Sequence, residues 1–79
     1  MKVTLYSRPG CHLCDDMKAV IDRVARTVPL TLDVVDISTD ADLEGRYSLE
    51  IPVLLIDGKK AAKFRVTELE LARILEGRK

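Results

Sequence analysis

Cys11 and Cys14, three residues apart, are the whole cysteine content of the chain. They follow a β-rich apolar run, Val3 to Tyr6, and a breaker pair, Pro9-Gly10, and they open a helix-like stretch. A Cys-x-x-Cys at a strand-to-helix junction in a short chain is a redox signature. At a helix N-terminus the Cys11 sulfur lies near unpaired backbone N–H groups and the positive end of the dipole. Such a setting lowers a thiol pKa from about 8.5 toward ~3.5–7.5, which favours the attacking thiolate. Arg8 and His12 add positive charge nearby, and Asp15 and Asp16 oppose it. Cβ atoms three apart on a helix are ~5–6 Å apart, so a modest rotation brings Cys14 into bonding geometry with Cys11. Cys11 is then the thiol that attacks a disulfide, and Cys14 the one that resolves the resulting mixed disulfide.

Two other uses of the pair stay open. A structural zinc needs four ligands, and His12 is the sole histidine beside the two cysteines. Zinc or an iron–sulfur cluster would need a second chain or an outside thiol. That alternative makes the protein a non-enzymatic carrier bridging two subunits through Cys11, with no metal site inside the chain. The cysteines can also be inert thiols in an interaction module, in which case Cys11→Ser changes nothing. Stapling explains little, because a bridge here closes a tiny loop.

The chain has 79 residues, 47% of them hydrophobic and 33% charged, with formal net charge zero. One small globular domain spanning 1–79 is expected, with an aliphatic core, since Trp is absent and aromatics are few. Zero net charge argues against nucleic acid or an anionic membrane as partner. Lys59, Lys60, Lys63 and Arg65 form a basic cluster that reads as the charged guard of an edge strand. A nucleic-acid surface would want more aromatics among those cations than Phe64 alone. The longest apolar run, Val53 to Ile56, is too short to span a bilayer. No leader pattern precedes Lys2. A cytoplasmic monomer is the expectation.

The elements that must position the cysteines follow from periodicity. Lys2 to Tyr6 reads as a buried strand. From His12 to about Thr27, Leu13, Met17, Val20, Ile21, Val24 and Val28 recur at helical steps, and Pro29 stops the helix. Leu30 to Ile37 reads as a second strand with Leu30, Leu32 and Val34 on one face. Strand, helix, strand makes a parallel pair with a right-handed crossover. Asp40 to Tyr47 offers a weaker helix interrupted by Gly45. Val53 to Ile56 and roughly Lys60 to Arg65 flank Asp57-Gly58, a type I′ hairpin signal. Thr67 and Glu70 form a capping box, and Val66 with Leu71 a hydrophobic staple. The last helix is expected to bury Leu69, Ala72 and Leu75, flanked by Leu71 and Ile74, and to end at Gly77. The order is βαβαββα: an α/β chain with a four-stranded mixed sheet flanked by helices.

Leu5-Tyr6-Ser7-Arg8-Pro9-Gly10-Cys11-His12-Leu13-Cys14, followed by Asp15-Asp16-Met17-Lys18, resembles the active-site segment of the glutaredoxin-like proteins of the thioredoxin superfamily. Asp36-Ile37, Tyr47, Ile51-Pro52-Val53-Leu54 and Asp57-Gly58 resemble the same family, so the likeness spans nearly the whole chain. The resemblance implies a thioredoxin-like fold of glutaredoxin type and a thiol–disulfide oxidoreductase with Cys11 as nucleophile and Cys14 as resolving thiol. It also implies that the Ile51–Pro52 bond is cis and lies beside the cysteines, with the Ile51 N–H and C=O pairing with a bound thiol substrate. Read without the resemblance, Pro52 is a proline tolerated at the start of a strand. The substrates implied are protein disulfides or glutathione mixed disulfides, met at Ile51 and Pro52. Two further substrate contacts are read from the residues themselves: Arg8 either steers an anionic thiol such as glutathione or is a solvated loop cation, and His12 is either a proton shuttle or charge beside Cys11 or an exposed helix-start residue. Electrons would come from a reductase or from glutathione, with no tightly bound cofactor. The chain departs from glutathione-using members just before its last helix, where they carry two glycines and an acidic residue. Here that region reads Phe64-Arg65-Val66-Thr67-Glu68, without glycine. The inner His12-Leu13 pair also differs from the Pro-Tyr and Gly-Pro of many relatives, and such residues help set the reduction potential.

Overall fold

The structure is a computed structural model that describes residues 1–77. In chain order it contains β1 (Lys2–Ser7), α1 (His12–Val24), β2 (Thr31–Asp36), a short 3-10 turn (Ile37–Thr39) and α2 (Ala41–Tyr47). β3 (Val53–Ile56), β4 (Lys59–Lys63) and α3 (Glu68–Glu76) complete it. The sheet order is β2-β1-β3-β4, with β1 parallel to β2 and antiparallel to β3, and β4 antiparallel to β3. This is the four-stranded mixed sheet with flanking helices that the periodicity requires. No helix among the described residues is long and apolar enough to cross a membrane.

Pleating sends alternate residues of each strand to opposite faces. Val3 and Leu5 of β1 sit opposite Ile56 and Leu54 of β3. Those four side chains pack against Met17, Ile21 and Val24 of α1 and Leu71 and Leu75 of α3 to form the core. The other face carries Tyr6, opposite Val53 in the register. There the Tyr47 ring, at the end of α2, lies against Tyr6 with ring centroids 5.0 Å apart. The two central strands are thus sandwiched, whereas β2 and β4 form the edges. β4 carries Lys59, Lys60 and Lys63 along its outer edge, and Ala61 is bulged out of register with β3. Asp57 and Gly58 take φ values of 50° and 85°, as a type I′ hairpin turn demands.

Several sequence expectations need correction. α1 ends at Val24, three residues earlier than expected, because Arg26 and Thr27 donate to the carbonyls three residues back, at 3.2 and 3.0 Å. The last turn is thereby tightened ahead of Pro29. Cys14, not Leu13, takes the first core position of α1; Leu13 is only half-buried. Gly45 does not interrupt α2, whose N-cap Asp40 accepts the Asp42 and Leu43 N–H groups at 2.9 and 3.3 Å. β2 is confined to Thr31–Asp36, and on this edge strand Val34 stays 45% exposed. In α3 the buried side is Leu71 and Leu75, and Leu69 is 62% exposed. Two residues along a helix turn the side chain by about 200°, so Leu69 faces away from Leu71. The capping box is present in full: Thr67 N–H donates to Glu70 and Glu70 N–H to the Thr67 hydroxyl, each at 3.1 Å.

Candidate active site

β1 delivers the chain to Arg8-Pro9-Gly10, and Gly10, at φ 80°, turns it in a conformation that costs a residue without Cβ nothing. Cys11 follows as the N-cap of α1, with extended backbone. Its Sγ accepts the Cys14 N–H at 3.1 Å, the place that a hydroxyl or carboxylate oxygen commonly fills. Cys11 and Cys14 are joined as a disulfide, with Cα atoms 5.2 Å apart. The two sulfurs differ in access. Cys14 is 3% exposed and belongs to the core side of α1, whereas Cys11 is only partly covered. Arg8 and His12 flank the pair and are both exposed.

A second strand brings the proline to the same end of the sheet. Tyr6 pairs with Val53, so the start of β3 lies beside the end of β1, where the cysteine loop departs. The Ile51–Pro52 peptide bond is cis and Pro52 is buried. Ile51 differs from what the resemblance implied: its N–H is committed to the Tyr47 carbonyl at 3.0 Å. Nothing among the described residues donates to the Ile51 carbonyl. Of the two backbone groups expected to meet substrate, only the carbonyl lacks a partner among the described residues. The N–H is taken because the carbonyl of Tyr47, the last residue of α2, has no intrahelical donor, and the Glu50 and Ile51 N–H groups both turn back to it.

One residue that sequence reasoning passed over also belongs here. The Pro52 carbonyl accepts the Phe64 N–H at 2.9 Å, and Arg65 N–H donates to the Lys63 carbonyl at 2.8 Å. These bonds hold Phe64 at φ 69°, the left-handed region that favours glycine. Its ring is 41% exposed, with Lys63 Nζ 5.4 Å from the ring centroid. The stretch lacks the two glycines of glutathione-using members, but nothing in a phenylalanine announces a left-handed backbone.

Among the described residues no three His, Cys, Asp or Glu side chains come together as a metal-ligand set.

The glutaredoxin-like domain (DUF836) matches residues 2–76. A glutaredoxin-like protein of Dictyostelium discoideum is 29% identical, the match covering 96% of this chain and 76% of that one. Among solved structures, a structural genomics target protein from X. campestris is 33% identical with a TM-score of 0.78, over 95% of this chain and 96% of its own. Thioredoxin 1 from Thermosipho africanus, 17% identical, shares the fold with a TM-score of 0.63 over 99% and 98% of the two chains. A thioredoxin fold with a bonded cysteine pair at the head of α1 supports a redox role. The chain belongs to the glutaredoxin-like family of the thioredoxin superfamily.

Proposed function

We propose that the protein is a thiol–disulfide oxidoreductase that reduces protein or glutathione mixed disulfides. The observation that carries this reading is the unequal access of the two sulfurs: Cys14 is 3% exposed while Cys11 is only partly covered. An incoming disulfide can reach Cys11 first and Cys14 hardly at all. In the reduced form the Cys14 N–H and the helix dipole favour the Cys11 thiolate. That thiolate attacks one sulfur of the substrate disulfide; a Cys11–substrate S–S bond forms, the substrate S–S bond breaks, and the departing thiolate takes a proton. Cys14, as thiolate, then attacks the Cys11 sulfur and expels the second substrate thiol. The substrate has gained two electrons and two protons, and the Cys11–Cys14 disulfide has formed. An external thiol or dithiol donor restores the pair by the reverse exchange. In this reading the Ile51 carbonyl accepts an N–H from the substrate backbone, and the exposed Arg8 and His12 flank the incoming disulfide.

The test is reduction of the interchain disulfides of insulin by dithiothreitol, with wild type, Cys11→Ser and Cys14→Ser. Wild type is expected to accelerate the reaction and Cys11→Ser to leave it at the uncatalysed rate. Equal acceleration by wild type and Cys11→Ser would contradict the assignment.

A further inference from the structure

A phenylalanine held at positive φ is a genuine backbone outlier, and an outlier beside a candidate active site motivates a functional reading of that residue. Phe64 occupies that conformation between two fixed points. Its own N–H is tied to the Pro52 carbonyl, and the turn around it is closed by the Arg65 to Lys63 bond. On the far side, Arg65 and Thr67 face Asp16 and Val20 of α1 across a groove of about 280 Å³. The loop thus lies between the proline and the helix that begins at Cys11.

The conformation has a consequence for substrates. A glycine at such a point lets a ligand approach the backbone closely; the Phe64 Cβ and ring take that space. The ring is part exposed, and the one cation over it, Lys63, is already paired with Glu50 at 3.3 Å. In the adjoining groove Asp16 and Glu70 outnumber Arg65, so an anionic ligand meets net negative charge. Beside Pro52, Val53 is buried, and the Lys63 charge is offset by Glu50.

We propose that Phe64 is a specificity-determining residue: its ring walls the substrate site and selects disulfides whose cysteine is flanked by apolar side chains, against the charged tripeptide of a glutathione mixed disulfide. This rests on the reading that Cys11 attacks disulfides. The exchange is unchanged in its balance: Cys11 bonds the substrate sulfur, the old partner leaves as a thiol, and Cys14 completes the two-electron reduction.

The experiment uses two thionitrobenzoate mixed disulfides, one of glutathione and one of an acetylated leucine–cysteine–leucine amide. Release of thionitrobenzoate by the reduced protein is followed, each rate being divided by that of free dithiothreitol with the same probe. Wild type is expected to prefer the leucine-flanked probe. Phe64→Gly, which keeps the left-handed turn and deletes the ring, is expected to lower that preference by about tenfold, slowing the leucine-flanked probe and not the glutathione one. Phe64→Leu, which keeps an apolar side chain, is expected to retain most of it. Equal normalised rates in wild type, or an unchanged preference in Phe64→Gly, would overturn the proposal. A fall shared equally by both probes would also overturn it, since that marks a residue that only holds the turn. Reaction of wild type with neither probe, or no slower reaction by Cys11→Ser, would instead overturn the exchange reading on which the proposal rests.

Discussion

At Phe64 the backbone φ of 69° puts a β-carbon where an L-residue is disfavoured by roughly 1–2 kcal/mol. Removing the ring while keeping or removing the Cβ isolates that cost from the packing of the half-buried side chain. Phe64→Gly is expected to be more stable than Phe64→Ala by about 1 kcal/mol, read as the difference in urea midpoint at equal slope. At an ordinary φ the order reverses, with Ala ahead by about 0.5–1 kcal/mol, and that reversed order would contradict the left-handed turn. The same comparison explains what was legible at this scale. Cys11 and Cys14 announce themselves because their relation is local, three residues apart ahead of a helix. Phe64 does not, because its conformation is imposed by Pro52, twelve residues away in sequence but one hydrogen bond away in space. The Ile51 N–H is hidden from the sequence for a similar reason: its partner, the Tyr47 carbonyl, depends on how α2 terminates.

Caps and phases decide the elements. Asp36 ends β2 and caps the 3-10 turn, accepting the Ser38 hydroxyl at 2.6 Å and the Ser38 N–H at 2.9 Å. Both bonds favour the carboxylate, the hydroxyl's most, and hold the carboxyl below the usual aspartate range. A pKa depressed in the folded state gives stability that is complete above the unfolded-state pKa and is lost as pH falls through the folded one. Ser38→Ala is therefore expected to raise the Asp36 pKa toward the ordinary value, measured by carboxyl-carbon NMR titration. An Asp36 pKa unmoved by that change would contradict the assigned cause. Helix phase was legible where the pattern was sparse: α1 buries Met17, Ile21 and Val24, which its polar back leaves no choice about. In α3, Leu69, Leu71, Ala72, Ile74 and Leu75 surround most of the helix, so more than one apolar face fits the sequence. Docking against α1 selects the face with Leu71 and Leu75. The hairpin needed no such arbitration, because Asp57-Gly58 carries its own turn chemistry.

The whole molecule is a thin support for one partly covered cysteine, Cys11. Its core is the β1–β3 pair covered by α1 and α3, and Leu54 at its centre is fully buried. A 79-residue chain holds on the order of 4–12 kcal/mol of net stability. Leu54→Ala is expected to remove ~2–5 kcal/mol, seen as a large drop in the urea midpoint. A loss under about 1 kcal/mol would show that β3 is not central to the core. The topology was legible because strand, helix, strand permits one handedness, and the βαβ unit and hairpin then leave few ways to join. The site was legible in part, since its two halves, Cys11 and Pro52, lie on different elements that only the β1–β3 register brings to one end. The central claim is that this end of the molecule presents Cys11 and shields Cys14. The most direct measurement is mass-spectrometric trapping of the mixed disulfide on the reduced single variants with a small disulfide probe. Cys14→Ser is expected to carry the adduct on Cys11 rapidly and to keep it, while Cys11→Ser forms an adduct on Cys14 far more slowly. Adducts forming on Cys14 as fast as on Cys11 would contradict the account.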